Sequence, residues 1–269
     1  MRLDDVKGFV LDVDGTLVHR AGAEVHVQPG AREVLAKIRA SGRRFVLFTN
    51  GSHAPPEVFA ADLRAAGLSV ADDELLTPLC SVQSYLRAHH RDGPVLLFGT
   101  DSARKYLVRA GVRILDAEDE TLVEAVFVAH PVAVDFAELE RAARAVLRGA
   151  RLLTGSYAPA YAGANGPIFS RGAMLTAALA KATAARPVIV GKPSRAAVRT
   201  INERLRAQSD ELAVIGDDLG MDIALGRMGG SRTILVRSGI SGRVELDELA
   251  ERHRPDAVVD GVAGLLDWL

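Results

Sequence analysis

Short apolar runs rich in β-branched and aromatic residues recur along this chain. Each gives way at its carboxyl end to glycine or polar residues before a stretch of helical periodicity begins. Phe9–Asp12, Arg44–Thr49, Val188–Val190, Leu212–Ile215, Thr233–Val236 and Ala257–Val259 read as the strands of one core sheet. Helices are predicted over Pro29–Ala40, Pro55–Ala66, Ser194–Ala207 and Asp222–Gly226, with Pro29, Pro55 and Ser194 as suitable starts. Strands that are apolar throughout and alternate with helices belong to a parallel sheet covered on both faces, which makes this an α/β, doubly wound fold. In such sheets ligands bind beyond the carboxyl ends of the strands, so the reactive residues are expected on those loops.

A second series of the same kind occupies the middle of the chain. Strands are expected at Val95–Phe98, Val126–Ala129 and Leu152–Leu153, and helices near Ser102–Ala110, Asp135–Leu147 and Ala173–Ala184. Its edges fall near Pro78 and Pro187. The sequence therefore divides into a core over residues 1–78 and 187–269 and an α/β unit inserted at 79–186.

Composition removes several classes of function. Hydrophobic residues at 48% and charged residues at 25% suit a globular chain, and 33 Lys and Arg against 34 Asp and Glu leave a net charge of −1. Without a basic field the chain is not expected to bind nucleic acid or an anionic membrane surface. Cys80 is the only cysteine, which excludes an intrachain disulfide or a cysteine-based metal cluster. The start, MRLDDVKGFVLDVDGT, lacks the basic and apolar regions of an export signal, and the longest uncharged stretch, Leu152–Ser170, is interrupted by glycines and prolines. A cytoplasmic protein is expected.

Four of the strand ends carry chemically useful groups. The first ends in Asp12-Val13-Asp14-Gly15-Thr16, and the second in Thr49-Asn50-Gly51-Ser52. A lysine follows the third in Gly191-Lys192-Pro193, and the fourth opens into Gly216-Asp217-Asp218-Leu219-Gly220-Met221-Asp222. Taken singly, each has a plain structural reading: an Asx turn, a loop turn, a solvated cation, a helix N-cap. Together they form an ordered set of an acid pair, a hydroxyl, a cation and an acid cluster, whose mutual repulsion a cation would relieve.

This set resembles the four motifs of the haloacid dehalogenase superfamily, and the inserted unit resembles the C2-type cap of its class IIA members, the p-nitrophenyl phosphatase, phosphoglycolate phosphatase and nucleotide phosphatase group. The resemblance implies a Rossmann-like core with a cap and a phosphatase that hydrolyses a small phosphate monoester through an aspartyl phosphate. Asp12 would be the nucleophile and Asp14 the general acid, then the general base. Thr49 with the Asn50 and Gly51 amides would hold phosphoryl oxygens, and Lys192 would neutralise charge. Mg²⁺ would be held by Asp12, the backbone carbonyl of Asp14 and Asp217, with Asp222 ligating through water or orienting Lys192. Asp218 falls at a variable position of that motif. The acid at Asp14, which dehalogenases lack, favours phosphatase chemistry.

Other functions compete with this one. A phosphotransferase or phosphomutase would use the same intermediate, but mutases of the superfamily carry a helical cap after the first motif, where this chain has only a short link between Thr16 and Pro29. Receiver modules share the Asp, hydroxyl and Lys set but lack the acid at Asp14 and any cap. A non-catalytic phosphate-binding or regulatory protein would not need Asp12, Asp14, Lys192 and Asp217 intact.

The cap loop departs from its relatives. Thr154-Gly155-Ser156-Tyr157-Ala158-Pro159 stands where an Asn-Pro-Asp type turn is common, so Tyr157 and Tyr161 are read either as lining a leaving-group pocket or as packing the cap. His89 and His90, beside Arg87 and Arg91 at an expected helix end, are read as solvated charge suited to the helix dipole rather than as ligands, His130 is read as structural, and a direct role for His19 or Arg20 is not favoured. The expected partner is a small phosphorylated metabolite, with the cap as a candidate homodimer surface.

Overall fold

A computed structural model describes residues 2–21, 24–89, 93–116, 121–163 and 166–269, with the side chains of 21, 161–163, 166 and 167 outside the description. The chain forms two compact units: Met1–Thr49, Pro56–Leu76 and Pro193–Leu269 make the first, and Asn50–Pro55 and Thr77–Lys192 the second.

The first unit is built on a six-stranded sheet in the order Ala257–Val259, Arg232–Val236, Leu212–Gly216, Gly8–Leu11, Arg44–Phe48, Leu75–Leu76. Every neighbouring pair is parallel. Gly8–Leu11 and Leu212–Gly216 are buried along their whole length, as strands covered on both faces must be. Helix Ala31–Ala40 buries Ala31, Val34, Leu35 and Ile38, the i, i+3, i+4, i+7 stripe of a helix lying on a sheet. Helix Arg195–Leu205 starts at Ser194, whose hydroxyl accepts the N–H of Ala197 at 3.0 Å.

The register fixes the working edge. Leu11 lies opposite both Ile215 and Leu47, so the next residues of three adjacent strands, Asp12, Gly216 and Phe48, come level at their carboxyl ends. The N–H of Asp12 continues the ladder to Ile215 O at 2.8 Å. Thr49 and Asp217 follow one residue later on their strands.

The second unit has its own four-stranded parallel sheet, ordered Val188–Ile189, Arg151–Thr154, Ala125–Val128, Val95–Phe98. Helices Phe136–Leu147 and Arg171–Thr183 are capped by Asp135 and Ser170, whose side chains accept N–H groups three residues on. Phe98, Val126, Val128, Ala142, Val146, Leu152 and Leu179 form the core of this unit.

Four expectations are corrected. Val188–Val190 is not a core strand: Val188 and Ile189 pair with Leu153 and Thr154, and Val190 and Gly191 extend that ladder to Thr154 O and Gly155 O. Both places beside Gly8–Leu11 are taken by Leu212–Gly216 and Arg44–Phe48, and a two-residue strand carries no sequence mark of which sheet it joins. The link between Thr16 and Pro29 contains an antiparallel hairpin, Val18–Ala21 with Glu24–Val27. The helix expected at Asp222–Gly226 begins at Ala224, after a wide turn over Leu219–Ile223. A second hairpin, Ala160–Gly163 with Gly166–Phe169, lies within the uncharged Leu152–Ser170 stretch, where no strand beyond Leu152–Leu153 was expected. No helix of the described residues is long and apolar enough to cross a membrane.

Candidate active site

Asp12, Asp217 and Asp222 converge at the carboxyl edge of the first sheet, each offering an oxygen within 4.8 Å of the others. They are 9%, 3% and 1% exposed. Carboxylates this close and this enclosed repel one another, and hard oxygen donors suit a hard divalent cation, so the donor set fits a metal site. Asp222, expected to act through water or on Lys192, contributes an oxygen to the same cluster. Its carboxylate also accepts the N–H of Asp218 at 3.2 Å, which anchors it within the turn that carries it.

Asp217 is held from two sides. Its Oδ2 accepts the backbone N–H of Ile240 at 2.7 Å, and Thr16 Oγ1 lies 3.4 Å from Oδ1. The loop after Arg232–Val236 is pinned in turn, because Ser241 N–H bonds Asp217 O at 3.0 Å and Ser238 Oγ bonds Gly15 O at 2.7 Å. Two glycines let the chain come this close. Gly15 has φ +93°, and a Cβ there would sit 2.4 Å from Asp217 Oδ2; a Cβ on Gly239 would sit 1.9 Å from the same oxygen. The Ser238–Ser241 loop was missed in the sequence, although Gly239 and Gly242 just beyond a strand end were a signal for it.

Asp14 takes no part in the carboxylate cluster through its side chain. Its Oδ1 accepts Arg20 Nε at 2.6 Å. Asp218 caps the Leu219–Ile223 turn, its Oδ1 accepting Gly220 N–H at 2.7 Å and Met221 N–H at 3.2 Å. Thr49, buried, ends the strand beside Asp12, and its N–H bonds Leu76 O.

Asn50 and Lys192 meet in the second unit. The Asn50 amide accepts Lys192 N–H at 2.8 Å and donates to Lys192 O at 2.9 Å, fixing the backbone of the buried lysine. The side chain of Asn50 is thereby engaged by the backbone of Lys192. Three residues after Asn50, the His53 ring lies 5.6 Å from that of His130. Burial first, then the charges of His53 and Arg171, hold the His130 imidazole below its ordinary value. Tyr157 is 38% exposed, and the Tyr161 side chain and His90 lie outside the described residues.

Two family models match the chain, a haloacid dehalogenase-like hydrolase over residues 9–113 and a second of the same kind over 189–265. This chain belongs to the haloacid dehalogenase-like hydrolases. Both segments contain the strand ends described above. The chain is 28% identical to a dihydroxyacetone phosphatase of Corynebacterium glutamicum, across 96% of this chain and 90% of that protein. Its fold matches a p-nitrophenyl phosphatase from Archaeoglobus fulgidus with a TM-score of 0.86 and 28% identity, covering 98% of this chain and all of the other. NagD from Escherichia coli K-12, named a ribonucleotide monophosphatase, matches with a TM-score of 0.84 and 28% identity over 96% of this chain and 97% of its own. These relatives fall in the branch of the family that the motifs and the inserted unit resemble.

Proposed function

We propose that this hydrolase is a Mg²⁺-dependent phosphatase of small phosphate monoesters that works through an aspartyl phosphate on Asp12. The observation that carries the reading is the buried group of Asp12, Asp217 and Asp222 at the carboxyl edge of the sheet, in a chain whose relatives are named phosphatases over nearly its whole length. Asp12 heads the group as the nucleophile. Asp14, two residues on, stands outside it as the acid and base.

In the first half-reaction an oxygen of Asp12 bonds to phosphorus as the phosphorus–oxygen bond to the leaving alcohol breaks, and Asp14 gives that alcohol its proton. In the second, Asp14 takes a proton from water, the water oxygen bonds to phosphorus, and the bond to Asp12 breaks to release inorganic phosphate. Thr49 and the N–H groups of Asn50 and Gly51 hold phosphoryl oxygens, and Lys192 offsets their charge. A bound Mg²⁺, held by Asp12, the Asp14 carbonyl, Asp217 and Asp222, supplies the positive charge that lets carboxylate and phosphate approach. The second unit acts as the cap that excludes water and selects the leaving group.

The test is phosphate release from a panel of monoesters, including p-nitrophenyl phosphate, glycerol phosphate, phosphoglycolate and nucleoside monophosphates, with Mg²⁺ and with chelator. Wild type releases phosphate only with metal, and Asp12→Asn, whose amide is no nucleophile, releases none. Metal-independent hydrolysis, or turnover kept by Asp12→Asn, overturns the mechanism.

A further inference from the structure

The hairpin Val18–Ala21 with Glu24–Val27 grows directly out of the acid loop. Gly15 N–H bonds Val18 O at 2.8 Å, and the N–H groups of Leu17 and Val18 both bond Val13 O, at 2.9 and 3.0 Å. The root of the hairpin is therefore tied to the residues on either side of Asp14. Side chains alternate along a strand, so Arg20 shares a face with the fully buried Val18 while His19, paired with His26, faces the other way. From there Arg20 Nε reaches Asp14 Oδ1 at 2.6 Å. Its Nη2 is shielded from solvent with no acceptor among the described residues. Among the described residues the side-chain hydrogen bond of the guanidinium is thus the one to Asp14.

We propose that Arg20 is a positioning residue that fixes which oxygen of Asp14 carries the transferred proton, an inference that rests on reading Asp14 as the acid and base. A guanidinium only donates hydrogen bonds, so the oxygen that accepts from it, Oδ1, has no room for a proton in the same direction. The proton sits on Oδ2. When the ester bond breaks, the Oδ2–H bond breaks with it and a new O–H bond forms on the leaving alcohol; in the second half-reaction Oδ2 takes the proton of the attacking water. Arg20 remains charged throughout and exchanges no proton. A charge-assisted bond also restrains rotation of the carboxylate, which would otherwise present either oxygen.

The test uses two esters of one shape, p-nitrophenyl phosphate, whose leaving group departs readily without a proton, and phenyl phosphate, whose more basic leaving group needs one. The quantity read is kcat/KM, which covers the steps through loss of the leaving group. Asp14→Asn loses about 100-fold more on phenyl phosphate than on p-nitrophenyl phosphate, within the range expected of a general acid. Arg20→Gln loses in the same sense, about tenfold more on phenyl phosphate, and Arg20→Lys recovers part of the difference. If Asp14→Asn discriminates and Arg20→Gln loses equally on both esters or not at all, the role of Arg20 is overturned. If Asp14→Asn itself treats the two esters alike, the assignment of the acid falls, and with it the reading on which this one rests.

Discussion

The backbone N–H of Ile240 bonds Oδ2 of Asp217 at 2.7 Å, so a residue with no reactive group of its own fixes the direction of a candidate metal ligand. Gly239 permits that approach. Gly239→Ala would put a methyl group 1.9 Å from the same oxygen, and because the obstacle is a side chain Asp217 would turn aside and lose the Ile240 bond. We expect Mg²⁺ affinity by calorimetric titration to fall at least about tenfold and stability to fall by about 1–3 kcal/mol, the usual cost of overpacking. Gly261→Ala, at a glycine with nothing within 4 Å of a Cβ and an extended φ of −149°, should change neither.

Asn50→Ala removes both hydrogen bonds that clasp the Lys192 backbone. Taking a partner from buried polar groups costs on the order of 1–3 kcal/mol, which a urea unfolding series would read. The activity should fall further than stability suggests, by about 100-fold, if Lys192 binds the phosphoryl oxygens as proposed, since a small displacement of such a group is costly. Asn50→Asp keeps the acceptor for Lys192 N–H and lacks the donor for its carbonyl, so it should fall between.

What could be seen in the sequence was whatever side chains announce. Gly8–Leu11 shows as an unbroken apolar run because both its faces are buried, and the parallel register then brings Asp12, Thr49 and Asp217 to one edge without further information. The Val188–Ile189 strand was placed in the wrong sheet because its partner, Arg151–Thr154, is set by packing far away in sequence. The Val18–Val27 hairpin left half a trace: Glu24-Val25-His26-Val27 alternates polar and apolar, whereas Val18-His19-Arg20-Ala21 does not, because Arg20 shares the face of the buried Val18. Ile240 left none, since a backbone donor has no residue type.

Asp217→Asn separates charge from geometry at the acid cluster. The amide oxygen can still accept from Ile240, while one of three mutually repelling charges is gone. In chelator the variant should melt at or above the wild-type temperature. With Mg²⁺ at about 100 times its dissociation constant, wild type should gain about 2.7 kcal/mol by mass action and the variant much less. A variant that gains as much as wild type would remove Asp217 from the metal site.

His130 gives a pH dependence whose sign is fixed by its surroundings. Burial disfavours the imidazolium, and His53 and Arg171 add like charge, so the folded state takes up this proton at a lower pH than the ordinary value of about 6.5 that holds in the unfolded chain. As pH falls through 6.5 the unfolded chain binds the proton first, and stability drops until the lowered value is passed and both states are protonated. The wild type should therefore lose stability over that window relative to His130→Gln, which has no proton to bind. An NMR titration of the imidazole should give a midpoint below 6.5 that rises in Arg171→Gln, where one repelling charge is absent. A midpoint at or above 6.5 would show that the charged ring finds compensation in solution, and the stability difference between wild type and His130→Gln should then be flat or reversed in sign across the same window.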